Sequence, residues 1–190
     1  MGKELPLVSG GPAEAREASA AKYIYCRVFC QRDNSPPPRL LWEFLRSRGQ
    51  HPFIPPGIEE AALDEWAWVQ IPLAYHKERK PIQLFCLRDR GSYVDIYEQE
   101  KKQFLDLLSV YDDVEAQLVK AHIANARFIL TTRLDKRDIT EEGYDFNGWI
   151  LQFYQEHCHG IVQIDGIGFY SPRGELVVDL STDSEDEVHS

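Results

Sequence analysis

The same order of elements can be read twice along this chain, and a repeat constrains architecture before anything else does. In the first copy an alternating strand, Tyr23 to Cys30, leads into an aromatic helix carrying Trp42, Phe44 and Leu45. Val69-Gln70-Ile71 then opens a strand-like run to Tyr75, and a second run follows from Ile82 to Leu87. In the second copy Arg127 to Leu134 leads into a helix carrying Trp149, Leu151 and Phe153. Val162-Gln163-Ile164 opens a run to Tyr170, the chain turns at Pro172-Arg173-Gly174, and Glu175 to Leu180 returns. The expected unit is βαββ, its strands rich in β-branched and aromatic residues.

This reading divides the chain into an N-terminal tail (1–21), a first βαββ unit (22–93), a helical connector (94–126), a second unit (127–180) and an acidic tail (181–190). The first tail is rich in Gly, Ala and Glu and lacks the apolar core of a signal peptide. The last holds Asp183, Glu185, Asp186 and Glu187 with almost no apolar surface to offset the cost of ordering, so both tails are expected to be disordered. Pro36-Pro37-Pro38 stiffens the entry to a helix from Arg39 to Arg48, which Gly49 ends. The connector breaks near Tyr111-Asp112, with Asp112 or Asp113 as a cap. Phe104, Leu105 and Leu108 mark one face of its first helix; Val114, Leu118 and Ala121 or His122 mark one face of its second. The class expected is α+β: duplicated halves of the ferredoxin-like sandwich type, forming an antiparallel sheet with helices on one face. The halves either join edge to edge or face each other around a cleft.

Charge narrows the partners. Among 190 residues the formal net charge is −10, and the sequence pI is about 5.1. Such a surface repels polyanions on average, which argues against nucleic acid and against an anionic membrane. No apolar run reaches the roughly 20 residues that a spanning helix needs, so a cytoplasmic location is expected. Cys26, Cys30 and Cys86 sit in apolar alternating runs. In a strand, Cys26 and Cys30 would lie about 13 Å apart, too far for a disulfide.

Few residues suggest chemistry. His157-Cys158-His159 is the one cluster of soft ligand types, and no second cluster completes a tetrahedral zinc site, so no metal and no cofactor is expected; His157 and His159 are the weak candidates. Asp165-Gly166-Ile167-Gly168 contains a GxG, but a hairpin follows it rather than a helix, so it is no dinucleotide fingerprint. Glycines in a strand mark a bulge or a close backbone approach, and here they could floor a pocket beside Asp165 and Tyr170. Tyr144, Trp149, Phe153 and Tyr154 form an aromatic stripe at helical spacing, a pattern that usually faces a core. The candidate binding residues are Asp165, Tyr170, Tyr144 and Trp149, and no catalytic set stands out.

The segment carrying Leu151 and Phe153, a glycine, and then Val162-Gln163-Ile164-Asp165-Gly166-Ile167-Gly168-Phe169-Tyr170 resembles the last helix and strand of the bacterial ribonuclease E inhibitor family (regulator B). The likeness covers about a tenth of the chain, which has Ile167 where that family tends to have an aromatic and continues into another strand where that family stops. It implies a small acidic protein that acts by binding another protein, and it transfers no residue roles. The expected function is therefore a non-enzymatic protein-binding module, inhibitor- or immunity-like, for a partner of basic character. The alternative is an enzyme or small-ligand protein with its site in a cleft between the repeats. An apolar patch rimmed by acids would favour the binder; polar residues converging on a cavity would favour the alternative.

Overall fold

The computed structural model describes residues 22–181, so the expected tail 1–21 and the acidic tail from 182 onward lie outside the described residues. In chain order the elements are β1 (Tyr23–Cys30), α1 (Pro38–Ser47), a 3-10 turn (Glu60–Asp64), β2 (Gln70–Leu73), β3 (Ile82–Arg88), α2 (Val94–Leu108), α3 (Val114–Ala124), β4 (Phe128–Asp135), α4 (Glu141–His157), β5 (Gly160–Ile164), β6 (Gly168–Tyr170) and β7 (Leu176–Asp179). The fold is α+β, and its seven strands make one antiparallel sheet in the order β2-β3-β4-β1-β5-β6-β7.

Local chemistry explains the element ends. Pro38 at the first turn of α1 supplies a helical φ where no backbone N–H is needed. Gly49, at φ 76°, closes α1 with two bonds that satisfy its last carbonyls, Gly49 N to Arg46 O and Gln50 N to Leu45 O. Asp113 caps α3 by accepting from Ala116 N at 2.8 Å. Thr140 caps α4, which therefore starts at Glu141, a turn before the aromatic stripe.

The two halves interleave. β4 lies between β1 and β3, and β1 lies between β4 and β5. β4-α4-β5 crosses over β1 to a parallel strand, the split βαβ arrangement, whereas α1 carries the chain from β1 past β4 and β3 to the edge strand β2, which runs antiparallel to β1. β1 and β4 pair along their whole length, from Tyr23↔Asp135 to Cys30↔Phe128. The seam between halves is thus a continuous backbone ladder, and the halves do not face each other across it. Nor do the two hairpins correspond. In the first half the second hairpin strand, β3, packs inward against β4 and β2 is the sheet edge; in the second half the first strand, β5, packs inward against β1. The run from Val162 to Tyr170 is itself two strands, because Asp165-Gly166 turns the chain: Ile167 N donates to Ile164 O, and Gly166 takes φ 73° as a type II turn requires. The likeness in pattern is one of composition, not of topological position.

Helices cover both faces of the sheet, not one. Leu41 and Leu45 of α1 and Phe146 and Ile150 of α4 pack with Val28, Cys30, Leu84 and Leu130. Tyr97 and Phe104 of α2 and Val119 and Ile123 of α3 pack with Phe29, Phe85, Ile129 and Phe169 on the other side. The cause lies in the central strands: every residue from Arg27 to Cys30 and from Phe128 to Thr132 is buried, so the sheet needs a layer on each face.

The connector helices reverse one expectation. α3 turns Ala116, Val119 and Ile123 inward, while Val114 and Leu118, expected on the packed face, point to solvent. Both stripes of α3 are apolar, so periodicity does not select between them; the cap at Asp113 and the small Ala116 set the phase that lets α3 lie close on the sheet. His122 ties α3 to β1, its Nε2 lying 2.8 Å from Phe29 O. Burial, the largest influence, holds the His122 pKa below the ordinary value even though that carbonyl contact works against it. A depressed histidine pKa means that the unfolded chain takes up the proton more readily. The stabilisation is present above about pH 6.5 and is lost as pH falls through that value. The melting temperature should therefore step down between about pH 7 and 5.5, and the step should vanish in His122→Asn. Asp64, Asp135 and Asp179, held low by hydrogen bonds from Arg39, Lys80 and Ser181, act only in the separate window below about pH 4.

Candidate functional site

The solvent face of α4 gathers three of the four sequence candidates. With Phe146, Ile150 and Phe153 directed into the core, the 3.6-residue period leaves Tyr144, Asp145 and Gly148 exposed, with Gln152 half-buried beside them. Tyr144 is 46% exposed. Trp149 is half-buried, edge-on to Phe44 at 6.3 Å, with the Arg48 guanidinium 5.3 Å above its ring. A recess of about 480 Å³ opens beside Tyr144, Trp149 and Gln50. On the other flank of α4 a second recess of about 400 Å³ is floored by Leu151, Val162, Ile164 and Tyr170 and rimmed by Arg173. Gly148 and Gln152 border both.

Asp165, the fourth candidate, belongs to a different cluster on the opposite face of the sheet. Arg27 Nη1 donates to Asp165 Oδ1 at 2.7 Å and to Gln163 Oε1 at 2.9 Å. Its Nε lies 3.4 Å from Glu100 Oε2, and its guanidinium sits 4.9 Å from the centre of the Phe104 ring. Arg27 and Glu100 are both buried. Burial opposes the arginine's charge, but Glu100 and Asp165 together outweigh it and raise the pKa. The cluster fastens α2 to β1 and to the β5–β6 turn, which is a structural role. Glu100 escaped the sequence reading because it sits in Glu98-Gln99-Glu100-Lys101-Lys102, a run that looks solvated; the one clue was an arginine inside the apolar strand β1.

The soft-ligand tripeptide is dispersed. His157 stacks on Phe153 at 4.8 Å with Nδ1 3.0 Å from the Phe153 carbonyl, Cys158 is buried, and His159 is exposed at φ 52°. Among the described residues no three His, Cys, Asp or Glu side chains are placed to hold a metal ion. All four cysteines are free and buried. Burial lifts the Cys26 and Cys86 thiols to about 11 and pushes Cys30 well above its ordinary value, so these thiols are protonated at neutral pH and poor nucleophiles. The glycine pair is likewise structural: Gly166 makes the turn, and Gly168 brings β6 against the Val178 carbonyl.

The apex of the α2–α3 hairpin is the surface that sequence reasoning missed. Val110, Val114 and Leu118 are 77%, 70% and 66% exposed, and Leu107 adds a fourth uncovered aliphatic side chain. Asp112, Asp113 and Glu115 stand exposed around them. Isolated apolar side chains on a surface are ordinary, but four within twelve residues at one helical corner are not. Among the described residues no helix is long and apolar enough to cross a membrane. No protein-family model, curated protein or solved structure matches this chain at a significant level, and the likeness to the ribonuclease E inhibitor family rests on the segment from Leu151 to Tyr170 alone.

Proposed function

We propose that this protein is a non-enzymatic protein-binding module, acting as an inhibitor or immunity protein does, and that it engages its partner through the α2–α3 apex. The observation that carries the reading is the uncovered aliphatic set Leu107, Val110, Val114 and Leu118 with acids at its margin. Apolar side chains at a patch centre gain from desolvation, while rim charges choose the partner and speed encounter. The fitting partner has an apolar centre bordered by Lys and Arg, in keeping with the net charge of −10. Salt should slow association more than it speeds dissociation.

The test is affinity purification with mass spectrometry, run in parallel on the wild type and on Val114→Ser/Leu118→Ser. Both positions are exposed, so the variant should melt within a degree or two of the wild type. A partner retained by the wild type should bind the purified variant about 30-fold or more weakly. If the variant retains every protein the wild type retains, with equal affinity, the apex is not the binding surface.

A further inference from the structure

Glycine inside a helix destabilises it, since it surrenders more backbone freedom than alanine and covers nothing. α4 contains two, Gly143 and Gly148, in opposite circumstances. At Gly143 a Cβ would fall 2.6 Å from the Tyr75 ring and 2.3 Å from Ile139 Cδ1, so close packing excludes a side chain. At Gly148 a Cβ would meet nothing within 4 Å, and the backbone is not in the left-handed region. Neither packing nor dihedral angle calls for glycine there.

What is distinctive about Gly148 is its outward setting. It is the gap in the ridge of α4 at which the two recesses meet. A small molecule filling one recess gains nothing from bare backbone on the ridge between them; an occupant that crosses the ridge does. We propose that α4 docks an amphipathic helix of another protein, which crosses over Gly148 and sets side chains into both recesses. Packed helices lie about 8–10 Å apart, and a residue without a side chain at the crossing permits the close end of that range. Tyr144, Trp149 and Tyr170 are the residue types that anchor interfaces. The charge is one-sided: Glu141, Glu142 and Asp145 cluster beyond one recess, whereas Glu156 and Arg173 offset each other at the other. The docked helix therefore carries Lys or Arg at the end beside Asp145. This surface lies on the opposite side of the sheet from the α2–α3 apex, so it stands or falls separately from the apex reading.

A displayed library of amphipathic helical peptides about 18 residues long, roughly 27 Å, selected on the full chain, supplies the probe. Selected peptides should shift the amide NMR signals of Gly148, Gln152 and Tyr170. Gly148→Ala should raise the melting temperature by about 2–4 °C while weakening those peptides about tenfold or more, a pairing that a purely structural glycine would not produce. Gly148→Leu should abolish their binding, and Leu118→Ser at the apex should leave it unchanged. The proposal fails if no selected peptide has Gly148 in its footprint, if Gly148→Ala binds them as tightly as the wild type, or if only small organic probes occupy a single recess.

Discussion

Arg27→Ala should lower the unfolding free energy by about 3–5 kcal/mol, because it leaves the Glu100 carboxylate buried with its main countercharge gone. Asp165 does not compensate, since it is a second anion facing the same hole. Removing both buried charges should be far milder: Arg27→Met/Glu100→Leu replaces an ion pair by apolar groups of similar volume, a change that is often neutral or stabilising. Asp165→Asn should cost under about 1 kcal/mol, as its side chain is 39% exposed and keeps an oxygen to accept from Arg27. Urea unfolding of the three variants beside the wild type separates these outcomes. A single Arg27→Ala cost below about 1 kcal/mol, or a double variant as unstable as the single, would show that the cluster does not hold α2 to the sheet.

Gly168→Ala should be comparably damaging for a wholly different reason. Gly168 sits at φ 146°, where L-residues are strained by about 1–3 kcal/mol, and an added Cβ would lie 1.9 Å from the Val178 carbonyl oxygen. That atom is backbone in the neighbouring strand, so relief requires β6 and β7 to separate. The irregularity between Phe169 and Tyr170 in that ladder leaves it little tolerance for further displacement. Loss of more than about 3 kcal/mol is expected, with hydrogen exchange rising first in β6 and β7. A variant as stable and as protected as the wild type would mean that this edge of the sheet adapts freely.

Much of the fold was legible because it is local. The alternation from Tyr23 to Cys30 coincides with β1, Gly49 does end its helix, and Asp113 does cap α3. Each of these signals lies within a few residues of the structure it causes. Two local readings nevertheless failed. The run Val162 to Tyr170 passed for one strand because its apolar character carries straight through Asp165-Gly166, although that pair is itself a turn signal. The inward face of α3 was misassigned because both of its stripes are apolar. Of the candidate site, Tyr144, Trp149 and Tyr170 come together around α4, and Asp165 does not. Their common neighbour Gly148 carries no side chain to attract notice in a sequence.

The sequence alone determined where most strands, helices and turns would fall, that the chain would be α+β, and that its charge would be strongly negative. Only the tertiary structure decided which strands are neighbours, that helices cover both faces, that Glu100 is buried beside Arg27, and which apolar stripe of α3 remains uncovered. Periodicity and turn chemistry are encoded over a few residues, whereas a strand's alternation is the same whichever neighbour it pairs with, and a helix with two apolar faces buries whichever one the sheet beneath it can accept.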